Sequence, residues 1–280
     1  MQINTFNGKG IWGYLDVDIT FDRYTNFLIG LNGAGKSTVL ELIEGMLLPS
    51  YAILTRVSFD EIKLTGTLGR KKFRIQAQQR DGVLDFATSY GTAEPVTSGD
   101  RFRMFPPTAV FSYPQERFRF TNSFEAIPFM NKVSSLGRDS LNDLMHLLDT
   151  AYPERKDSFF RCINKFREDH DHRLSWLPDT VCSSGEPVTL PDGLSCGERR
   201  LLEILGTVIL LPESKPGIVL IDDPELHLHL AWQEILVDTL REIRPKAQFI
   251  FATHAPAIVA GNNNSYTDHC INITKARRSE

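Results

Sequence analysis

Residues 30 to 37 read Gly30-Leu31-Asn32-Gly33-Ala34-Gly35-Lys36-Ser37, a glycine, four residues, then Gly-Lys-Ser. That is the spacing of a loop that wraps phosphate. Its flanks agree: Phe27-Leu28-Ile29 can end a buried strand, and Thr38-Val39-Leu40-Glu41-Leu42-Ile43-Glu44 can begin a helix. The glycines let successive backbone N–H groups turn inward around a β-phosphate, Lys36 reaches the β- and γ-phosphates, and Ser37 offers its hydroxyl to Mg²⁺. The helix N-terminus adds to the attraction. The expected cradle is therefore Gly30, Asn32, Gly33, Ala34, Gly35, Lys36, Ser37 and Thr38. An α/β phosphate-loop NTPase that binds a nucleoside triphosphate follows.

The rest of the composition bounds what else the chain can be. Its 280 residues suffice for one large domain, or one domain with a sizeable insertion. Lys and Arg number 31 against 35 Asp and Glu, so no global positive field announces a polyanionic partner. Two local basic groups stand out, Arg70-Lys71-Lys72 with Arg74, and Lys275 with Arg277 and Arg278. Each is read first as a solvated face, although Phe73 inside the former keeps a nucleic-acid reading open. Cys162, Cys182, Cys196 and Cys270 show no paired short spacing, which fits a reducing compartment and gives no zinc signature. No apolar run approaches the roughly 20 residues of a membrane span. Met1 is followed by polar residues rather than a basic and then apolar leader. A soluble, cytoplasmic protein is expected.

Downstream, Ile218-Val219-Leu220-Ile221 leads into Asp222-Asp223-Pro224-Glu225. An apolar run ending in an acid describes a buried parallel strand that delivers a carboxylate to the sheet's carboxyl edge, where ligands sit. Asp222 is the expected partner of Mg²⁺, with Ser37. Asp223 is the better candidate to orient an attacking water. Gln248-Phe249-Ile250-Phe251-Ala252-Thr253 reads as another buried strand and ends at His254, whose ring can meet a γ-phosphate or that water. Between the two, a helix is expected in the later part of Leu226 to Ile243, closed by Pro245. His227 and His229 lie two apart, a spacing that does not share a helical face, so no metal is assigned to them.

Leu194-Ser195-Cys196-Gly197-Glu198 precedes the apolar stretch Leu201 to Leu210. Ser195 and Glu198 have capping-box spacing, which by itself means a well-capped helix. A sharper reading makes the Ser195 hydroxyl and the neighbouring N–H groups an anion-recognising helix start. Trp12 and Tyr14 are both candidates to stack on a base, and both fit as ordinary sheet aromatics.

These four motifs, in the chain order phosphate loop, signature, acidic strand and histidine, resemble the ABC-type ATPases, and within them the branch of SMC, RecF and OLD-like heads with the compact ATPases of phage defence. The run Asp222-Asp223-Pro224-Glu225-Leu226-His227-Leu228-His229, with Trp232, Gln233 and Thr253-His254-Ala255-Pro256, is similar to the defence type rather than to transporter subunits. The resemblance implies a mixed central sheet with an attached antiparallel sheet and a helical insertion. It also implies a head-to-head homodimer around two ATP molecules, with larger assemblies left open. Catalytic roles fall on Lys36, Asp223 and His254, and Mg²⁺ falls to Ser37, Asp222 and a glutamine. Gln115, after Ala109 to Pro114, is the candidate. Ser195 and Gly197 would reach the partner's γ-phosphate.

Three positions depart from the family pattern: Asp223 for glutamate, Cys196 for glycine and Leu230 for proline. An aspartate sets its carboxylate short by about an ångström, which can cost on the order of 10²-fold in rate. Slow hydrolysis and a long-lived closed dimer are therefore expected. Residues 1–280 read as a single ATPase domain, with an insertion and signature-approach loop over roughly 120–190. The N-terminus reads as strands interrupted by Gly8, Gly10 and Gly13, Val57 to Phe86 as further antiparallel strands, and Gly185 to Gly193 as loop. The insertion is too short and too broken by Pro128, Gly137 and Pro153 for long coiled arms. The short tail after His254 leads to the expectation that any nuclease is a separate polypeptide. The resemblance thus favours a switch governing a nuclease or toxin effector. A RecF-like, duplex-DNA-binding repair ATPase is the alternative.

Overall fold

A computed structural model describes residues 1–48, 50–80, 83–91, 96–97, 109–113, 119–122, 140–150, 152–167, 173–177, 180–190, 193–211, 217–261 and 266–273. Among them the apolar runs of the sequence become the centre of a six-stranded mixed sheet. Strands β3 (Thr25–Ile29), β8 (Ala109–Tyr113), β13 (Ile218–Asp222), β14 (Gln248–Ala252) and β15 (Cys270–Asn272) are parallel, in the order β15-β3-β14-β13-β8. β9 (Arg119–Asn122) closes the β8 edge antiparallel. Burial on both faces explains why β13 and β14 read as unbroken hydrophobic runs rather than alternating ones.

A second, antiparallel sheet runs β2-β1-β4-β5-β6-β7, with β1 (Gln2–Ile11), β2 (Leu15–Thr20), β4 (Glu61–Leu68), β5 (Lys71–Arg80), β6 (Val83–Tyr90) and β7 (Val96–Thr97). Here burial alternates, as in Ile62 and Leu64 of β4 and Phe73, Ile75 and Ala77 of β5, because one face alone meets the core. That core also takes Val39, Leu40, Leu42, Ile43 and Met46 of helix α1 (Lys36–Leu47) and Leu28, Ile218, Leu220 and Ile250 of the parallel sheet. The phosphate-loop helix is thus packed against both sheets. A short helix, α2 (Tyr51–Leu54), follows. Buried Gln248 ties the sheets: its amide accepts from Ile3 N at 2.7 Å and donates to Ile3 O at 2.9 Å and Asp22 O at 2.7 Å.

The opposite face of the parallel sheet carries α5 (Cys196–Leu210), α6 (Leu230–Ile243) and α7 (Pro256–Ala260), with Phe27, Phe249 and Phe251 beneath them. The expected helical insertion contributes α3 (Ser140–Thr150) and α4 (Pro153–Lys165). Leu144, Met145, Leu148, Phe159 and Ile163 from these two helices join the same core as α5. No helix among the described residues is long and apolar enough to cross a membrane.

Two local expectations are corrected. Gly8 and Gly10 do not interrupt the first strand; β1 runs through both, with a register shift between Gly8 and Ile11. Gly10 has φ +63°, and a Cβ there would lie 2.3 Å from Asp60 Oδ2, so glycine serves a bulge and a close approach rather than a break. Part of the loop expected over Gly185 to Gly193 is instead a strand. β10 (Leu174–Leu177), β11 (Thr180–Ser183) and β12 (Glu186–Pro187) form a small antiparallel sheet ahead of the signature.

Candidate functional site

β3 ends at Ile29, and α1 starts at Lys36, so residues 30 to 35 form the connecting loop. Gly33 and Gly35 have φ of +77° and +99°, conformations that a side chain resists. A Cβ on Gly35 would also lie 2.5 Å from Leu15 Cδ2. Gly35 caps α1 without any side-chain hydrogen bond, and the first turn carries no acid. No side chain of the helix's own first turn therefore offsets its partial positive charge, as an anion site requires. Lys36 is buried, and its Nζ donates to Gly30 O at 3.1 Å and Leu31 O at 3.2 Å. Trp12 Nε1 lies 3.4 Å from Thr38 Oγ1. Trp12, one of the two base-stacking candidates, thus touches this helix. Both rings are exposed.

Asp222 closes β13 at the carboxyl edge of the sheet. Burial pushes its carboxyl up to about 6, the Asp223 charge adds to the shift, and the Ser37 hydrogen bond and the Lys36 charge oppose it. Its Oδ1 is buried with no hydrogen-bond partner. A partly desolvated carboxyl with an unsatisfied oxygen, hydrogen-bonded to a serine hydroxyl, is a hard oxygen donor set that suits Mg²⁺. The strand meant to deliver Gln115 runs parallel to β13, with Tyr113 opposite Ile221. Gln115 itself lies outside the described residues.

Beyond Asp222 the chain turns sharply. Asp223 has φ +44° and His227 φ +64°. Asp223 N–H donates to Ala252 O at 2.9 Å, holding the turn against β14. This brings Asp223 to His254, with Oδ1 3.6 Å from Nδ1. It also brings in a residue that sequence reasoning gave no role. Glu225 is buried, and its Oε1 lies 3.1 Å from His254 Nδ1. Ligand atoms of Asp223, Glu225 and His254 all fall within 4.8 Å of one another. The signal available in the sequence was an acid just past Pro224, which a one-dimensional reading treats as a turn residue.

Ser195 caps α5 with both halves of the capping box. Glu198 N–H donates to Ser195 Oγ at 3.3 Å, and Glu198 Oε2 accepts from Ser195 N–H at 2.8 Å. Glu198 is further paired with Arg167. Gly197 is buried against this chain's own turn: a Cβ there would lie 2.6 Å from His227 O. Arg200 reaches the carbonyls of Asp222 and Asp223 at 3.4 Å each. The signature is thus bonded to the acidic corner of its own chain. Gly197→Ala is expected to cost about 1–3 kcal/mol, because a backbone carbonyl cannot rotate away as a side chain can. Denaturant unfolding measures it, and a change below about 0.5 kcal/mol would contradict the close approach. His229 caps α6, its Nδ1 3.4 Å from Ala231 N.

The fold is that of an ABC-ATPase head. The SMC head bound to the C-terminal winged-helix domain of ScpA superposes with a TM-score of 0.58 at 18% identity, covering 93% of this chain and 91% of that one; at that identity the likeness concerns fold alone. The chain belongs to the family described as "AAA domain, putative AbiEii toxin, Type IV TA system", whose sequence model matches residues 92–260. It is similar to the Septu protein PtuA of Bacillus mycoides (strain KBAB4), 24% identical over 297 residues and 93% of this chain. It is also similar to the "Retron Vc95 probable ATPase" of Vibrio cholerae serotype O1 biovar El Tor, 36% identical over 97 residues and 31% of this chain. The matched regions span 38% and 19% of those two relatives.

Proposed function

We propose that the chain binds Mg·ATP at this edge, hydrolyses it slowly, and acts as a cytoplasmic switch on a separate nuclease or toxin in antiviral defence. One observation carries the nucleotide reading. The uncapped start of α1, buried Lys36, the unsatisfied Asp222 oxygen and the Asp223–His254 pair all lie at the carboxyl ends of β3, β13 and β14. The defence reading draws support from a family description that names a toxin–antitoxin system and from relatives named for Septu and a retron.

In this reading residues 30 to 38 cradle the phosphates, with Lys36 leaving its loop carbonyls for the γ-phosphate. Ser37 and Asp222, with Gln115, would hold Mg²⁺, which when bound neutralises charge on the β- and γ-oxygens. Asp223 and His254 orient the attacking water. Ser195 and Gly197 of a second copy complete the site, so ATP closes a homodimer and hydrolysis opens it. Residues 1–280 act as one ATPase unit, and roughly 120–190 form the partner-facing insertion.

Equilibrium ATP binding and solution mass with and without Mg·ATP test this. Lys36→Ala is expected to weaken binding about 100-fold, since a charge-assisted contact is lost from a buried position. A wild type that neither binds ATP nor changes mass would overturn the proposal. Strongly salt-dependent, ATP-stimulated duplex binding by a solitary dimer would replace the effector reading with the DNA-repair one.

A further inference from the structure

Glu225 is only 7% exposed. A carboxylate in that position needs partners, because burying its charge without them costs several kcal/mol. The partners all come from the end of β14. Thr253 Oγ1 donates to Glu225 Oε2 at 2.8 Å, His254 N–H donates to Oε1 at 3.1 Å, and His254 Nδ1 faces that same Oε1 at 3.1 Å. Thr253 Oγ1 is itself fixed by accepting from Ala255 N–H at 3.0 Å. One carboxylate therefore holds the backbone of His254 by a hydrogen bond and lies within hydrogen-bonding distance of its ring.

That proximity favours one tautomer. A carboxylate oxygen only accepts, so a hydrogen bond across those 3.1 Å requires the proton on Nδ1, in the neutral ring as in the charged one. Asp223, at 3.6 Å, is beyond hydrogen-bonding distance of the same nitrogen. The other nitrogen, Nε2, is the one left to meet a ligand, and the ring is half exposed. We propose that Glu225 is the positioning residue of the hydrolytic centre, holding His254 by Nδ1 so that Nε2 is presented to the γ-phosphate or the attacking water. The assignment rests on the ATP-hydrolysing reading above. It divides the work: Glu225 orients the ring, and Asp223 faces the water.

The test joins a spectroscopic readout to a kinetic one. In ¹⁵N-histidine NMR of the nucleotide-free protein, recorded on the neutral ring, His254 is expected as the Nδ1–H tautomer. Glu225→Ala is expected to shift it toward Nε2–H and to lower kcat on the order of 10²-fold, with ATP affinity changed less than about threefold. Glu225→Gln keeps an accepting oxygen of the same reach and is expected to recover part of the loss, and it supplies the measurement if the alanine variant does not fold. In a His254→Ala background, Glu225→Ala is expected to add no further loss. An Nε2–H tautomer in an active wild type, or an undiminished effect of Glu225→Ala without the histidine, would overturn the assignment. A wild type with the Nδ1–H tautomer and no turnover would instead sink the hydrolysis reading beneath it.

Discussion

Asp222→Asn is expected to raise the melting temperature of the nucleotide-free protein and to abolish its stabilisation by Mg·ATP. The first effect follows from where the carboxyl titrates. Its ordinary value is 3.8, and burial above all pushes it up to about 6 in the fold. Between these values the unfolded chain gives up the proton more readily than the folded one, so stability falls as pH rises from about 4 to about 6 and stays lower above. A gap of about two pH units corresponds to roughly 3 kcal/mol. Asparagine has the same shape and no charge to bury, so the cost disappears at pH 8, and for a domain of this size the melt moves up by about 5–10 °C. At about pH 3, below both values, the two proteins are expected to melt within a degree or two of each other. The second effect has the opposite sign, because an amide is a poor substitute for an anionic oxygen on Mg²⁺. Thermal melts at about pH 3 and pH 8, with Mg·ATP added at pH 8, check both. A variant less stable than wild type at pH 8 would contradict the burial cost of the charge, and one that keeps the Mg·ATP shift would remove Asp222 from the metal.

Much of this edge was legible because it is built from continuous apolar runs with sharp ends. β3, β13 and β14 are buried on both faces, so Phe27, Ile218 to Ile221 and Phe249 to Ala252 announce themselves without any knowledge of their neighbours. The capping box at Ser195 is local and was equally plain. What failed to show depends on approach between distant segments. Gly8 and Gly10 look like strand breakers until Ile11 and Asp60 are found where their side chains would be. The reason for glycine at 197 is the carbonyl of His227, thirty residues on. Strands β10 to β12 are two to four residues long and too short to establish a period. Glu225 was invisible as a functional residue because its burial arises only when β13 and β14 pair, with Asp222 beside Ala252, and set the two strand exits side by side.

Asp223→Asn and Asp223→Glu are expected to move stability and turnover in separable ways, and the backbone explains why. At φ +44° residue 223 occupies the left-handed region, where Asp and Asn are several-fold enriched over longer side chains. The family's usual glutamate is thus replaced at a position whose conformation favours the shorter acid. Asparagine keeps that conformational fit and loses the charge, so Asp223→Asn is expected to fold with unchanged stability, to bind ATP, and to turn over on the order of 10²- to 10⁴-fold more slowly. Glutamate reverses the balance. It costs about 1 kcal/mol in the left-handed turn, yet under the proposed hydrolytic role its extra methylene extends the carboxylate by about an ångström toward the water, for an expected gain of up to about 10²-fold in kcat. Single-turnover hydrolysis beside denaturant unfolding separates the two contributions. A wild type that already hydrolyses ATP rapidly, with Asp223→Glu matching it in both rate and stability, would mean that neither the short side chain nor the strained turn limits this site. A slow wild type accelerated by a less stable variant would mean that the turn at residue 223 holds back hydrolysis, prolonging the closed, ATP-bound state that a switch on a dangerous effector requires.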